Sequence, residues 1–561
     1  MVFLNKKPNF VLILADDMGY SDLGCYGSEI NTPNLDSLGK TGIRFSQMYN
    51  SARCCPSRAA LLTGLNPQQT GVGHMTSNFG IANEFDVPAY QGYLNQNCAT
   101  IAEVLKDSGY TTLMSGKWHV GGGYDLLNDS SWSPGDEEHP VPIQRGFDEF
   151  YGIVTGAGSF FNPRTLMKND KFVNVTESNF YFTDAITDNA ITMIEGAAEE
   201  NDPFFIHIAY TAPHWPLHAL EEDIAKYEGK YLKGWDQLRM NRHEELKSIG
   251  ILDSQWDISP RNESAKSWDM SENKDWEDLR MASYAAMIDR MDQGIGRILS
   301  KLKNLNLEDD TVIMFLSDNG GCAEFFAEDS DQASPAQYSS PTVDGRPMQV
   351  GNITTLRPGP DDTFMSYDLP WANASNTPFR LFKRWTHEGG ISTPFIINWP
   401  KKIKHSSVIH EPTHITDIAA TIYDAAGAPY PKEYKGHPIK ALEGQSFLEA
   451  IEKGKWKRGQ DIFWEHEGSR AMRSGEWKLV CEVSGEWELY NMNQDRTELH
   501  NMVHGEKDRV EIMKKTYLEW MGKCEVQPWP LPGHIWDPSL IAHYAHSVGN
   551  SPHGKARTNF R

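Results

Sequence analysis

Short apolar runs alternate along the first 430 residues with stretches of helical periodicity, the pattern left by buried parallel strands and the helices that cross between them. "NFVLILADDMG" holds such a run from Phe10 to Ala15, and "YTTLMSGKWH" follows the helix-like "TIAEVLKDSG". "PFFIHIAYTAPHWP" follows "DAITDNAITMIEGAAEE", and "TVIMFLSDNGG" follows the long helical "SYAAMIDRMDQGIGRILSKLKNL". The pattern predicts an α/β fold: a large, mostly parallel central sheet flanked by helices. Each of these strands ends in polar residues, and open α/β sheets bind ligands in the crevice outside the carboxyl ends of their strands. Asp16 and Asp17, Lys117 and His119, His214, and Asp318 and Asn319 are therefore expected along one edge.

Those residue types carry a chemistry. Three carboxylates brought together repel one another unless a cation sits among them, and an all-oxygen donor set suits hard Ca²⁺ or Mg²⁺ rather than zinc. "GKWH" by itself reads as a surface lysine beside a packed histidine, and "TAPHWP" as a rigid turn; only convergence gives them a role. The stretch "SARCCPSRAALLTG", residues 51–64, places two thiols before a proline that suits a first helical position. The helix then points its free N–H groups back toward Cys54, where an anion belongs. Arg58, one turn in, adds bidentate oxyanion contacts that a lysine would not reproduce.

Composition narrows the options. With 561 residues the chain exceeds one ordinary core, which predicts a large domain with insertions and a smaller companion. A net charge of −23 argues against nucleic acid as a partner, but a local positive site in an acidic protein still holds a small anion. It also favours a small anion over a densely charged polymer. Cysteines at 25, 54, 55, 98, 322, 481 and 524 are too scattered for a disulfide framework, and no CxxC spacing occurs. "MVFLNKKPNF" lacks an apolar signal core and a cleavage site, and no apolar stretch reaches a membrane span. The expectation is a soluble chain, cytoplasmic as it stands and periplasmic or secreted if a signal was removed.

Cys54-Cys55-Pro56-Ser57-Arg58 through Leu62-Thr63-Gly64 resembles the sulfatase signature C-x-P-S-R-x-x-x-x-T-G. In that register Cys54 is the special cysteine and Cys55 fills the variable position. "LADDMGYSDLGCYG", "TPNLDSLGKTGIRF", "GKWH", "RGFDEFYG", "APHWPLHA", "LSDNGG" and "FRLFKRWTHEGGISTPFIINWP" resemble sulfatase segments in the expected order, from about residue 8 to about 430. "GEWKLVCEVSGEWELYNMNQDRTELHNM" resembles, more weakly, the family's small C-terminal domain, and "WANASNTPFRLFKRWTHEGG" resembles the bacterial arylsulfatase branch.

The resemblance implies an alkaline-phosphatase-like fold, with a catalytic domain over 1–455 and a small α+β domain with an extended tail over 456–561. It implies conversion of Cys54 to formylglycine (3-oxoalanine) by a formylglycine-generating or equivalent maturing enzyme. It implies Ca²⁺ held by Asp16, Asp17, Asp318, Asn319 and residue 54. Arg58, Lys117 and His119 would hold the aldehyde hydrate; His214 and Lys383, with Lys117, would contact the sulfate and the leaving oxygen. One hydroxyl of the hydrate would attack sulfur after losing its proton to Asp318, and the other would expel sulfate with a base such as His119. The implied activity is that of an arylsulfatase-type sulfuric ester hydrolase acting on aryl or related small sulfate esters. Hydrolysis of phosphate mono- or diesters or phosphonates is the nearest alternative, and a silent protein that binds sulfated ligands is another.

Two insertions interrupt the pattern. Residues 221–278 are charged and tryptophan-dotted and read as helical decoration; 323–370, rich in Pro, Ser, Gly and Asp, follow Asn319 and read as a wall or lid over the pocket. The last residues, from "VQPWPLPGHIW" on, read as an extended tail. Nothing in the sequence sets the oligomeric state.

Overall fold

A computed structural model of the chain describes residues 7–76, 87–124, 132–326, 338–482 and 486–529. Strand β1 (Asn9–Ala15) is its centre. Alternate residues of β1 serve two cores: Val11, Ile13 and Ala15 join the one on one face of the sheet, Phe10, Leu12 and Leu14 the one on the other. That double burial is why the strand reads as a continuous apolar run rather than an alternating one.

β1 pairs in parallel with β7 (Phe204–Ala209) and β8 (Thr311–Ser317). β3 (Thr111–Gly116) lies parallel to β7 and to β4 (Glu149–Ile153). The short β5 (Leu166–Lys168) and β6 (Lys171–Phe172) close that edge in antiparallel fashion. On the other side β11 (Ser392–Asn398) is antiparallel to β8 and to β2 (Ile43–Tyr49), and β12 (Ser407–Ile409) and β13 (Thr413–His414) run parallel to β2. The eleven-stranded sheet is thus mixed, with its parallel centre as expected.

Helices cover both faces. α1 (Pro33–Thr41), α4 (Phe182–Glu200) and the long helix Lys274–Asn304 pack on one, and α2 (Cys54–Thr63), α3 (Ile101–Asp107) and Thr416–Ala426 on the other. α2 begins two residues before the start read from Pro56. Pro56 is tolerated there because the N–H it lacks is one of the first four, which have no intrahelical acceptor anyway.

The insertion over 221–278 is helical in part, with a helix at Gly234–Ser248, and its tryptophans are packing residues: Trp235 sits edge-on to Trp268 and to Trp371. The described part of 323–370 holds one small sheet of β9 (Gln349–Val350) and β10 (Thr363–Phe364). Residues 327–337 of that stretch and the tail from 530 on lie outside the described residues.

Past residue 455 the chain forms an antiparallel meander of β16 (Ile462–His466), β17 (Ser469–Ser474), β18 (Trp477–Cys481) and β19 (Glu488–Asn491). One face packs under the helix Lys507–Cys524 through Leu479, Leu489, Val510, Met513 and Tyr517. The other, with Trp464, Ala471, Val480 and Tyr490, packs on Tyr49, Ala52 and Ile391 of the large domain. Among the described residues no helix is long and apolar enough to cross a membrane, and all seven cysteines are free.

Candidate active site

The strand-end residues do converge. Asp16 and Asp17 follow β1 and Asp318 and Asn319 follow β8, and the parallel pairing that aligns Ala15 with Ser317 puts the four side by side. Asp318 N–H donates to Ala15 O at 3.2 Å, and Asp17 N–H donates to Asp318 Oδ1 at the same distance. Asn319 Nδ2 donates to Asp17 Oδ1 at 2.7 Å. All four side chains are buried. Asp17 and His119 both take φ near +60°, at 64° and 57°, a setting uncommon for a residue with a Cβ though Asp and His enter it more readily than most.

The positive groups interleave with these acids. Lys117, just after β3, donates to Asp16 Oδ2 at 2.6 Å. Arg58 reaches out of α2 to place Nε and Nη2 at 2.9 and 2.8 Å from Asp318 Oδ2, and its Nη1 donates to Lys117 O at 2.9 Å. Lys383 Nζ lies 2.8 Å from Asp17 Oδ2 and 3.3 Å from His214 Nε2. His214 Nδ1 is bonded to Trp215 O at 2.7 Å, so its Nε2 is the nitrogen that faces Asp17, at 3.3 Å.

Cys54 opens α2 on the same edge. Burial opposes ionisation of its thiol, but the Cys55 thiol, Lys117, His119 and Lys383 together hold it well below the ordinary thiol range. Burial and the neighbouring Cys54 push Cys55 the other way, well above it. Two adjacent cysteines thus have opposite electrostatics. Burial also lowers His119 and His214 to about 4, which leaves both imidazoles neutral at pH 7. Asp17 is held down at about 2 because His214 and Lys383 outweigh its burial.

Two oxygens in this crowd, Asp16 Oδ1 and Asn319 Oδ1, are buried without a hydrogen-bond partner. Buried polar atoms almost always have one, so an unpartnered pair among carboxylates fits a cation. Donor atoms of Asp16, Asp17 and His214 lie within 4.8 Å of one another, as do those of Cys54, Cys55 and His119. Asp318 instead turns one oxygen to Arg58.

Sequence reasoning missed Glu324. Its carboxylate accepts from Arg53 Nη1 at 3.1 Å and from Trp215 Nε1 at 2.7 Å, tying the residue before Cys54 to the residue after His214. It lies in a stretch read as a lid; the only signal was a lone glutamate in "CAEFF" directly after the Asp318 loop.

The Sulfatase family profile matches residues 8–428, and a second, N-sulphoglucosamine sulphohydrolase, C-terminal, matches residues 379–522. An uncharacterized sulfatase of Schizosaccharomyces pombe is 33% identical over 92% of this chain and 93% of its own. The arylsulfatase of Klebsiella aerogenes is 32% identical over 81% of this chain and 93% of its own. Among solved structures, Ps i-CgsB in complex with k-i-k-neocarrahexaose has the same fold, with a TM-score of 0.64 and 24% identity over 96% of this chain and 97% of that one. The profile spans the whole large sheet and every residue of the converged edge, so the chain belongs to the sulfatases, enzymes that hydrolyse sulfate esters.

Proposed function

We propose that the chain hydrolyses small sulfate monoesters, aryl sulfates foremost, with a formylglycine made from Cys54 and a Ca²⁺ bound at the strand ends. The observation that carries this reading is the position of Cys54 at the start of α2, where Lys117, His119 and Lys383 converge beside four buried carboxamide and carboxylate side chains. When present, the aldehyde hydrate at position 54 supplies a hydroxyl nucleophile and a second hydroxyl that allows sulfate to be released. Asp16, Asp17, Asp318 and Asn319 would hold Ca²⁺, which supplies positive charge to the sulfuryl oxygens.

The chain's own groups divide the remaining work. Asp318 stands at the nucleophile side, where a carboxylate takes a proton, and Arg58 fixes its orientation through paired contacts to one oxygen. Neutral His119, which interacts with residue 54, would accept a proton from it. Lys117 and Lys383 bring charge to the oxyanion, the term that usually dominates such transfers. His214 and Lys383 serve the departing oxygen. Trp215, beside His214, packs edge-on to Phe326 and near Phe364 and Tyr338, a buried apolar cluster that backs the His214 side of the site.

The deciding experiment compares kcat/KM on matched aryl sulfate and aryl phosphate, with mass spectrometry of the peptide containing residue 54. Sulfate turnover should dominate, and Cys54 should be about 18 Da lighter, the change from CH₂SH to CHO. Faster phosphate turnover, or an unmodified thiol in fully active protein, would overturn the reading. Exhaustive chelation checked by elemental analysis should lower both activity and Tm, because the acids then repel and a ligand specific to the folded state is lost.

A further inference from the structure

Lys383 reaches the site on a segment with an unusual backbone. Leu381 and Arg384, on either side of it, have φ of 65° and 88°. Non-glycine residues in that region cost roughly 1–3 kcal/mol each and persist only where the surroundings over-determine them. Part of that determination comes from the catalytic edge: Lys383 N–H donates to Gly321 O at 3.2 Å and Arg384 N–H to Ala52 O at 2.7 Å, each two residues from Asn319 and Cys54 respectively.

The rest comes from the C-terminal sheet. Between residues 380 and 388 the titratable side chains are Arg380, Lys383, Arg384, His387 and Glu388, and all except Lys383 engage that sheet or the turn after it. Arg380 Nη1 donates to Glu488 Oε2 at 3.2 Å, and His387 Nε2 lies 3.3 Å from the same oxygen. Arg384 Nε donates to Glu467 Oε2, in the turn between β16 and β17, at 2.6 Å. Glu388 accepts from Lys478 Nζ at 2.8 Å and from Arg496 Nε at 3.2 Å, and its own N–H donates to Glu498 Oε2 at 3.1 Å. Lys478, Glu388 and Arg496 are wholly buried.

We propose that the C-terminal sheet is the positioning template for Lys383, with Glu467, Lys478, Glu488 and Arg496 as positioning residues. Stability alone does not account for the network, since a buried ion pair gains little over apolar residues of the same volume. The sheet already has an apolar contact with the large domain through Trp464, Ala471 and Val480. What directional charge pairs add is geometry: they fix the segment on both sides of Lys383 while leaving its ammonium to Asp17 and His214. The inference rests on the reading of Lys383 as a group serving the departing oxygen.

The test measures kcat and KM over a series of sulfate esters graded by leaving-group pKa, with conversion of residue 54 checked by mass, for the parent, Lys383→Ala, Glu467→Gln, Glu467→Asp and Lys478→Met. A misplacement of about 1 Å costs up to about 10²-fold in rate. Glu467→Gln and Lys478→Met should therefore lower kcat on the poorest leaving groups by about 10- to 100-fold and on a nitroaryl sulfate by less than about threefold, with KM little changed. Glu467→Asp, which keeps the charge facing Arg384, should recover part of the loss. A purely structural role predicts equal losses on all esters, and slopes equal to the parent's in both variants, with Lys383→Ala steepened, would overturn the inference. If Lys383→Ala itself keeps the parent slope, the reading of Lys383 falls, and the template role with it. Should Lys478→Met fail to fold, Glu467→Gln, at the partly exposed edge of the network, decides the matter alone.

Discussion

Cys54 and Cys55 are neighbours in the chain and equally buried, yet their thiols are driven to opposite ends of the thiol range. Cys55 faces Met75 Sδ at 3.5 Å and His74 O at 3.7 Å, an environment of packing rather than chemistry. Cys54→Ala should therefore abolish turnover, whereas Cys55→Ala should keep most of it and lose about 1–2 kcal/mol of stability from the small cavity. Comparable activity losses in both variants, measured on purified protein of equal fold by circular dichroism, would refute that division. The register of the motif already singled out Cys54 in the sequence, and the acids at 16, 17 and 318 were legible because strand ends converge by topology. Glu324 was not. Its partners Arg53 and Trp215 are 271 and 109 residues away, and no local pattern marks a carboxylate whose meaning comes only from tertiary contact. The partners of the Lys383 segment past residue 455, Glu467, Lys478, Glu488, Arg496 and Glu498, were hidden for the same reason.

At the scale of elements, the strands that present the site depend on close backbone approach where they end. Gly116 closes β3 at φ 120°, and a Cβ there would lie 1.9 Å from Ala209 O, the same carbonyl that accepts from Lys117 N–H at 2.8 Å. Gly116→Ala must both strain the backbone and push β3 from β7, so it should cost more than about 3 kcal/mol, beyond the usual range for a surface change. It should also weaken activity in the protein that still folds, because Lys117 is the next residue. A variant with the parent's Tm would show that the strands accommodate a methyl group there. The apolar runs identified the parallel core of the sheet because strands buried on both faces cannot alternate. They said nothing of β11 running antiparallel: strand direction is set by the route of the chain, and both its faces are buried as well.

For the whole molecule, burial of neutral histidines that make no contact with the strand-end acids sets an acid limit. Burial lowers His74, His207 and His414 to about 3 and His218 to about 4. Each folded value lies below the unfolded one of about 6.5, so the unfolded chain takes up protons that the native state refuses. Their contribution is intact above about pH 6.5 and is lost as pH falls toward the folded values. Four such groups give a limiting slope of about 5 kcal/mol per pH unit near pH 5. A carboxylate whose value burial raises works in the opposite sense; Asp292, pushed up to about 6, takes its proton first in the native state and offsets part of that slope. A single variant isolates the histidine effect. His207 lies within β7, with Nδ1 3.3 Å from Leu12 O, and glutamine can keep that contact without titrating. Whatever packing His207→Gln loses at pH 8, its deficit against the parent should shrink by about 1.4 kcal/mol for each pH unit below about 6, because one proton fewer drives unfolding. The measurement is Tm of both proteins from pH 8 to 5, and curves that stay parallel across that range would mean that His207 is protonated in the folded chain.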